Sequence, residues 1–371
     1  MAAVILAAGR SSRMGRFKPL LTIGGQTLLE RAISLFASCG IDDIRAVVGH
    51  CREQVEPVLE QAGIPTIVNT IDHCDMFSSV RLAIEDMGPD IGALILLPVD
   101  IPLVRPWTVQ CLLDQHSRNP ASILIPSFQG KKGHPVVIPA RYFDPIRKWR
   151  GENGLRGALK PLANKILTLP VPDANILFDM DTPADYAHAK KTWSRMHTPT
   201  AAECESILRD IIGVSDDVYA HCQAVANAAG TLSDALNNAG CGIDRDLVVA
   251  AGRLHDMAKG YPRHDRQAAA MLTDMGFSEV ARIVAAHTDI SCAADAPPDE
   301  AEVLYLADKC VQGADVVDPW ERFQTAMSRY GRDTESRQRI KKRLADAKVI
   351  QNKVESATGR PLWRLLNHNS I

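Results

Sequence analysis

Short apolar runs alternate with amphipathic stretches through the first half of the chain. The strand-like runs are Val4–Ala8, Arg45–Gly49, Thr66–Asn69, Ala93–Leu97, Ser122–Pro126, Pro135–Ile138 and Ile166–Val171. Helical periodicity marks Thr27–Ser38, Glu53–Ala62, Phe77–Met87 and Pro106–His116 between them, and a last helix runs from Pro183 to about Arg195. This rhythm predicts βαβ units and a mostly parallel sheet. Ligands of such sheets sit at the C-terminal ends of the strands.

The rhythm changes after His197-Thr-Pro-Thr200, a polar linker with a helix-breaking proline. From Ala201 the strand runs vanish and helices follow one another. The boundary falls near Met196–Pro199, which divides the chain into residues 1–197 and 198–371. The tail, about Arg332 to Leu366, is charged and helical in pattern and reads as a solvated packing arm.

At 371 residues the chain is long enough for two full cores. Hydrophobic content of 46% and charged content of 23% are ordinary globular values. Net charge is -2, and neither half has the basic excess of a nucleic-acid binder. Small-molecule partners are expected, with no nucleic acid. Nine scattered cysteines without a Cys-x-x-Cys pair argue against a disulfide framework or zinc ribbon and for a reducing cytoplasm. The N-terminal apolar run is too short for a signal peptide, and no run is long enough to span a membrane.

The chemistry concentrates first at Ala3–Leu21. A short apolar strand runs into Gly9-Arg-Ser-Ser-Arg13-Met-Gly15, then Arg16-Phe-Lys18-Pro-Leu-Leu21. Gly9 and Gly15 permit sharp turns and close ligand approach. Backbone N–H groups and cations in such a loop suit phosphate oxygens. The same residues also fit a basic surface loop. Asp100 follows the apolar run Leu94–Leu97 and should reach the same sheet edge, where a carboxylate can hold Mg²⁺ on a triphosphate; a turn Asp before Pro102 is the alternative. Asp179-Met-Asp181-Thr-Pro183 reads as a helix start, with Asp181 or Thr182 as N-cap.

Leu6-Ala-Ala-Gly9-x-Ser-x-Arg13-Met-Gly15-x-x-Lys18-x-Leu-Leu21 resembles the signature of nucleotidyltransferases of the molybdenum cofactor cytidylyltransferase (MobA-like) type. The resemblance covers roughly residues 2–195. It implies a Rossmann-like fold of the nucleotide-diphospho-sugar transferase type. Arg13 and Lys18 would take the phosphates and Asp100 the metal, with Asp179 or Asp181 as a second contact. Leu6, Ala7, Ala8, Gly9, Asn69 and Ser78 would border the nucleotide. Gly133-His134-Pro135 fits the family's turn. Asp75-Met76 and Gly151-Glu152 depart from its Gly-Met and Gly-Asp, which bears on the acceptor. The implied reaction is attack of a phosphorylated acceptor, such as molybdopterin, on an NTP with release of pyrophosphate. CTP is favoured because Ala8 stands where guanylyl relatives carry a second glycine. A sugar phosphate is the alternative acceptor. A second copy of the chain, or a partner in molybdoenzyme maturation, would be its macromolecular contact.

The second half carries histidines on apolar helix faces. His221 lies three after Val218 and four before Val225. His255 follows the stripe of Leu247–Leu254, His287 that of Val280, Ile283 and Val284, and Asp308 comes four after Leu304. One such histidine is commonly a satisfied core residue. Three with a carboxylate suit Mn, Fe, Zn or Mg, since an unpaired buried carboxylate is costly. His221, His255-Asp256 and Asp308 resemble the HD-domain phosphohydrolases, over about residues 205–320. The resemblance makes these four the ligands of a first metal. It gives His264 and His287 to a second and places Lys259 toward a substrate phosphate. His264 also reads as an exposed residue of the Gly260–Asp265 turn. An all-α HD domain that hydrolyses a phosphoester is the expectation; a regulatory, nucleotide-sensing module is the alternative.

Overall fold

A computed structural model describes residues 1–71, 75–330 and 333–366, with the side chains of 329 and 330 left aside. The chain divides into two compact units, Met1–Arg195 and Met196–Ile371.

The first unit is built on an eight-stranded sheet. Its main path runs Ile166–Pro170, Ile123–Phe128, Val136–Pro139, Ala93–Pro98, Ala2–Leu6, Ile44–Val48, Thr66–Val68. All pairings on this path are parallel except those of Val136–Pro139, which runs antiparallel to both neighbours. The central register sets Leu6 beside Val47 and Pro98, so Ala7 and Val99 leave the sheet together at its C-terminal edge. The central strands Ala2–Leu6 and Ala93–Pro98 are buried along their whole length, which explains their unbroken apolar sequences. Helices start where local chemistry satisfies their free N–H groups. Thr27 and Glu30 form a reciprocal capping box, as do Thr182 and Asp185. The seven strand runs and five helices read from the sequence are all present, with ends that coincide or shift by at most two residues.

The second unit is mostly helical: Asp216–Asn238, Arg245–Leu254, His264–Asp274, Ser278–Ala285 and Glu300–Lys309 surround its core. Three details differ from the sequence reading. A hairpin, Val311–Gln312 with Asp315–Val316, interrupts the helices, so the unit is not wholly α. It is too short to leave a periodic signal. His264 opens a helix instead of lying in a turn, because Arg263 adopts a left-handed conformation (φ 51°) that reverses the chain just before it. His287 lies past the end of the Ser278–Ala285 helix, although the apolar stripe continues to it.

The tail forms Thr334–Thr358 and Leu362–Leu366; Arg332 lies outside the described residues. It is more than a solvated arm. Ile340, Ala347, Ile350 and Val354 make one buried stripe. Lys353 Nζ lies 2.5 Å from Glu302 Oε2, with both side chains 6% exposed. Removing one partner of a buried pair strands the other charge. Lys353→Met is therefore expected to cost about 3–5 kcal/mol of stability, read by urea denaturation. A loss under about 1 kcal/mol, the scale of an exposed pair, would contradict this.

Candidate functional sites

In the first unit the loop after Leu6 is pinned where it leaves the sheet. Ala7 N–H donates to Val47 O, and Val99 N–H donates to Leu6 O. Ser11 turns the chain at φ 54° and Gly15 at φ 66°, and Ser11 Oγ accepts from Lys18 N–H at 2.9 Å. Met14 is buried and anchors the loop's middle. A Cβ on Gly9 would point into open space, whereas one on Gly49 would crowd Ala8. The steric demand for glycine thus falls on Gly49, and the backbone at Gly9 stays open to close approach.

Lys18 is 8% exposed, yet its ammonium reaches Asp100 Oδ2 at 3.1 Å and Asp181 Oδ1 at 2.6 Å. Burial works to lower its pKa, but Asp181 and Asp100 outweigh this and raise it. Arg13 Nη1 holds Asp181 Oδ2 at 3.0 Å from an exposed position. Met180 N–H donates to Asp100 O at 2.9 Å and thereby stitches the 179–181 segment to the strand end. Burial, then the charges of Asp100 and Asp181, raise the Asp179 carboxyl above its ordinary value. Three carboxylates from distant stretches therefore converge beside one lysine.

A cavity of about 120 Å³ opens between this cluster and the loop. Leu6, Ala7, Ala8, Gly9, Lys18 and Asp100 all line it, with Asp75, Met76 and Ser79 opposite. Asn69 and Ser78 do not line it; Asn69 borders a separate cavity with Arg10, Gly49 and Ile71. Asn69 Nδ2 donates to Ser78 Oγ at 2.9 Å and to Ser79 Oγ at 3.0 Å, so the two serines are oriented from below. Asp75 caps the Met76–Asp86 helix through Ser78 N–H, which accounts for the acid at this departure from the family pattern. His134 follows Gly133, where any Cβ would collide with Ile176. Among the described residues its buried Nδ1 has no hydrogen-bond partner, and burial lowers its pKa against the pull of Asp100.

In the second unit two groups of potential ligands meet. His221, His255 and Asp308 form one; Asp256, His264 and His287 form the other. Asp308 Oδ1 lies 3.3 Å from His221 Nε2 and 3.7 Å from His255 Nε2. Asp256 faces both groups. Its Oδ2 is 3.8 Å from His221 Nε2 and 3.7 Å from His255 Nε2. Its Oδ1 is 3.5 Å from His264 Nε2 and 3.8 Å from His287 Nε2.

The Nδ1 atoms of three histidines are committed to backbone carbonyls: His221 to Gly313 at 2.9 Å, His255 to Gly252 at 2.8 Å, His287 to Val284 at 2.6 Å. Each bond turns an Nε2 lone pair inward, the arrangement that orients metal-binding imidazoles. Among the described residues His255 Nε2 is buried without a hydrogen-bond partner. Burial lowers the His255 pKa, and burial with His255 lowers that of His287 to about 4. Burial pushes Asp256 upward, but His255 and Lys259 hold it at about 2. Asp308 is held far below the carboxylate range because Lys309, His221 and Arg322 outweigh its burial. Neutral imidazoles and ionised carboxylates are the protonation states a divalent ion requires. Lys259 Nζ contacts Asp256 Oδ2 at 2.5 Å, and Lys309 Nζ contacts Asp308 Oδ2 at 2.6 Å. Arg322 and Lys309 escaped the sequence reading. Lys309 had a signal, its adjacency to Asp308; Arg322 had none.

The fold and sites define a nucleotidyltransferase-type α/β unit followed by a helical His/Asp unit. Residues 3–166 match the family model of the MobA-like NTP transferase domain, and residues 218–313 match that of the HD domain. The chain carries these two domains in that order. Among curated proteins it is similar to the bifunctional protein GlmU of Corynebacterium jeikeium (strain K411), 38% identical over 152 residues, 37% of this chain and 30% of that protein. It is also similar to GlmU of Corynebacterium glutamicum, 25% identical over 270 residues, 68% of this chain and 52% of that one. The chain thus spans 30% to 52% of the length of these relatives. Among solved structures, Rv0371c from Mycobacterium tuberculosis H37Rv aligns with 52% of this chain and 98% of its own at 24% identity and a TM-score of 0.47. Molybdopterin-guanine dinucleotide biosynthesis protein A from Archaeoglobus fulgidus aligns with 53% of this chain and 100% of its own, at 18% identity and a TM-score of 0.40.

Proposed function

We propose that the chain is a bifunctional enzyme of two working domains, residues 1–197 and 198–371. The first transfers a nucleotidyl group from an NTP, with CTP favoured, to a phosphorylated acceptor such as molybdopterin, and releases pyrophosphate. The second hydrolyses a phosphoester. Its partners in this reading are small molecules of the cytoplasm; among the described residues no helix is long and apolar enough to cross a membrane.

The observation that carries the first activity is the meeting of Lys18, Asp100 and Asp181 at the sheet edge, beside the cavity under the Gly9 loop. Asp100, Asp179 and Asp181 offer the oxygen donors Mg²⁺ takes. Burial, and then the charges of Asp100 and Asp181, raise the Asp179 carboxyl, and a cation among the three would favour its ionised form. Lys18 and Arg13 would neutralise charge on the triphosphate as the acceptor phosphate attacks the α-phosphorus and pyrophosphate departs. No protein nucleophile is needed; the chain's work is alignment. The Asp75-Met76 and Glu152 departures keep a sugar phosphate as the second acceptor reading.

For the second activity the carrying observation is Asp256, which faces both ligand groups with separate oxygens. The orphaned His255 Nε2 fits a metal. His221, His255, Asp256 and Asp308 would hold one ion, and Asp256, His264 and His287 a second; Mn, Fe, Zn and Mg all suit this donor set. Bound divalent ions would lower the pKa of water and polarise a phosphoryl oxygen. A regulatory, nucleotide-sensing role without turnover is the other use of such a domain.

Competition binding tests nucleotide choice. Ala8 lines the cavity at the position where the resembled guanylyl enzymes carry a glycine, so CTP should bind more tightly than GTP. GTP binding as tightly as CTP would overturn that preference. Labelled CTP offered with molybdopterin and with sugar phosphates then identifies the acceptor.

A further inference from the structure

The Pro319–Tyr330 helix lies beyond the segment that matches the HD domain, yet it delivers a side chain to the His/Asp centre. Arg322 Nη1 donates to the backbone carbonyls of Asp308 and Val311. Its Nη2 stands 3.4 Å from Asp308 Oδ1. These bonds fix the plane of the guanidinium. The fixed group borders a cavity of about 230 Å³ that also exposes His221 and Lys259. Lys259 is tied to Asp256 as Arg322 is tied to Asp308. Two cations thus face one space, each backed by one of the two carboxylates of the centre. Val218 and Val311 supply apolar wall, and Asp217 lies at the rim.

Two fixed cations beside a centre that holds divalent ions repel those ions unless an anion comes between them. A guanidinium matches phosphate with paired N–H bonds, and an ammonium adds a point charge. A phosphomonoester carries about −1.5 to −2 at neutral pH, while a diester carries a single negative charge. The cavity is smaller than the roughly 300–1,000 Å³ of drug-sized sites.

We propose that Arg322 and Lys259 clamp the dianionic phosphate of a small phosphomonoester, and that Arg322 sets the preference for monoester over diester. The proposal rests on the hydrolase reading given above. In the reaction a water oxygen bonds to phosphorus, the ester P–O bond breaks, and the alcohol leaves with a proton. Inorganic phosphate is then a product held by the same two cations, which makes it a direct probe.

The test titrates inorganic phosphate into the full-length, manganese-loaded protein by calorimetry, for wild type, Arg322→Lys and Arg322→Gln. Metal content and thermal unfolding are measured on each. The dissociation constant is expected to rise about tenfold in Arg322→Lys and about a hundredfold in Arg322→Gln, the range of a hydrogen bond to a charged group. Metal content should not change. The hydrolysis ratio of p-nitrophenyl phosphate to bis(p-nitrophenyl) phosphate should fall in parallel. Phosphate affinity within twofold of wild type in both folded variants would overturn the clamp. So would metal loss in both, which would reduce Arg322 to a prop for Asp308. A wild type that binds metal but no phosphate overturns the clamp alone; one that binds no metal removes the hydrolase reading with it.

Discussion

Asp256→Ala is expected to empty both ion sites of the helical domain and abolish phosphoester hydrolysis. The side chain is 7% exposed and its two oxygens serve different neighbours, Oδ2 toward His221 and His255, Oδ1 toward His264 and His287. Among the described ion pairs, Asp256 is the carboxylate that reaches histidines of both ligand groups. Loss of a residue that only orients a ligand costs about 10–100-fold in metal affinity. Loss of a shared ligand should exceed that at both sites. Truncation also frees the Lys259 ammonium toward the histidines, which adds repulsion to any incoming cation. By contrast, His264→Ala and His287→Ala should each remove one ion and leave the His221–His255–Asp308 group able to hold the other. Metal analysis of the three variants, loaded anaerobically, checks this. A wild type with one ion, unchanged in both histidine variants, would reject the two-ion centre.

Asp100→Ala should abolish nucleotidyl transfer while the fold persists. Asp100 follows a fully buried strand, and its backbone carbonyl, retained in the variant, accepts from Met180 N–H. The lost carboxylate is one of the two that hold Lys18 and one of the three that would face Mg²⁺. Removing a single group of an electrostatic stabilising set costs about 10²–10³ in rate, and loss of a metal contact adds to it. Pyrophosphate release is the measurement, with circular dichroism to verify folding. Unchanged turnover in a folded variant would take Asp100 out of the mechanism.

Much of this was readable along the chain, and the reasons are local. The Leu94–Leu97 run is apolar at every position because both faces of its strand are buried, so its end, and hence Asp100, could be placed at the sheet edge. Thr27 with Glu30 and Thr182 with Asp185 announce helix starts because capping spans only three residues. His221, His255 and Asp308 follow apolar stripes because they point into the core. What escaped depends on contacts between distant segments. Nothing near Arg322 in sequence reveals that its helix returns to Asp308. The Val311–Val316 hairpin, whose Gly313 carbonyl orients His221, has too few residues to show a period. Asn69 bonds both Ser78 and Ser79, of which Ser79 lines the cavity, a link that no sequence pattern shows.

The central claim is that one chain carries two separate phosphate chemistries. The most direct measurement assays both on the same full-length preparations: pyrophosphate released from CTP with Mg²⁺ and acceptor, and phosphate released from p-nitrophenyl phosphate with manganese. Wild type should perform both reactions. Asp100→Ala should lose the first and keep the second, and Asp256→Ala should do the reverse. A wild type inactive in either assay, or one substitution that removes both activities from a folded protein, would contradict the account.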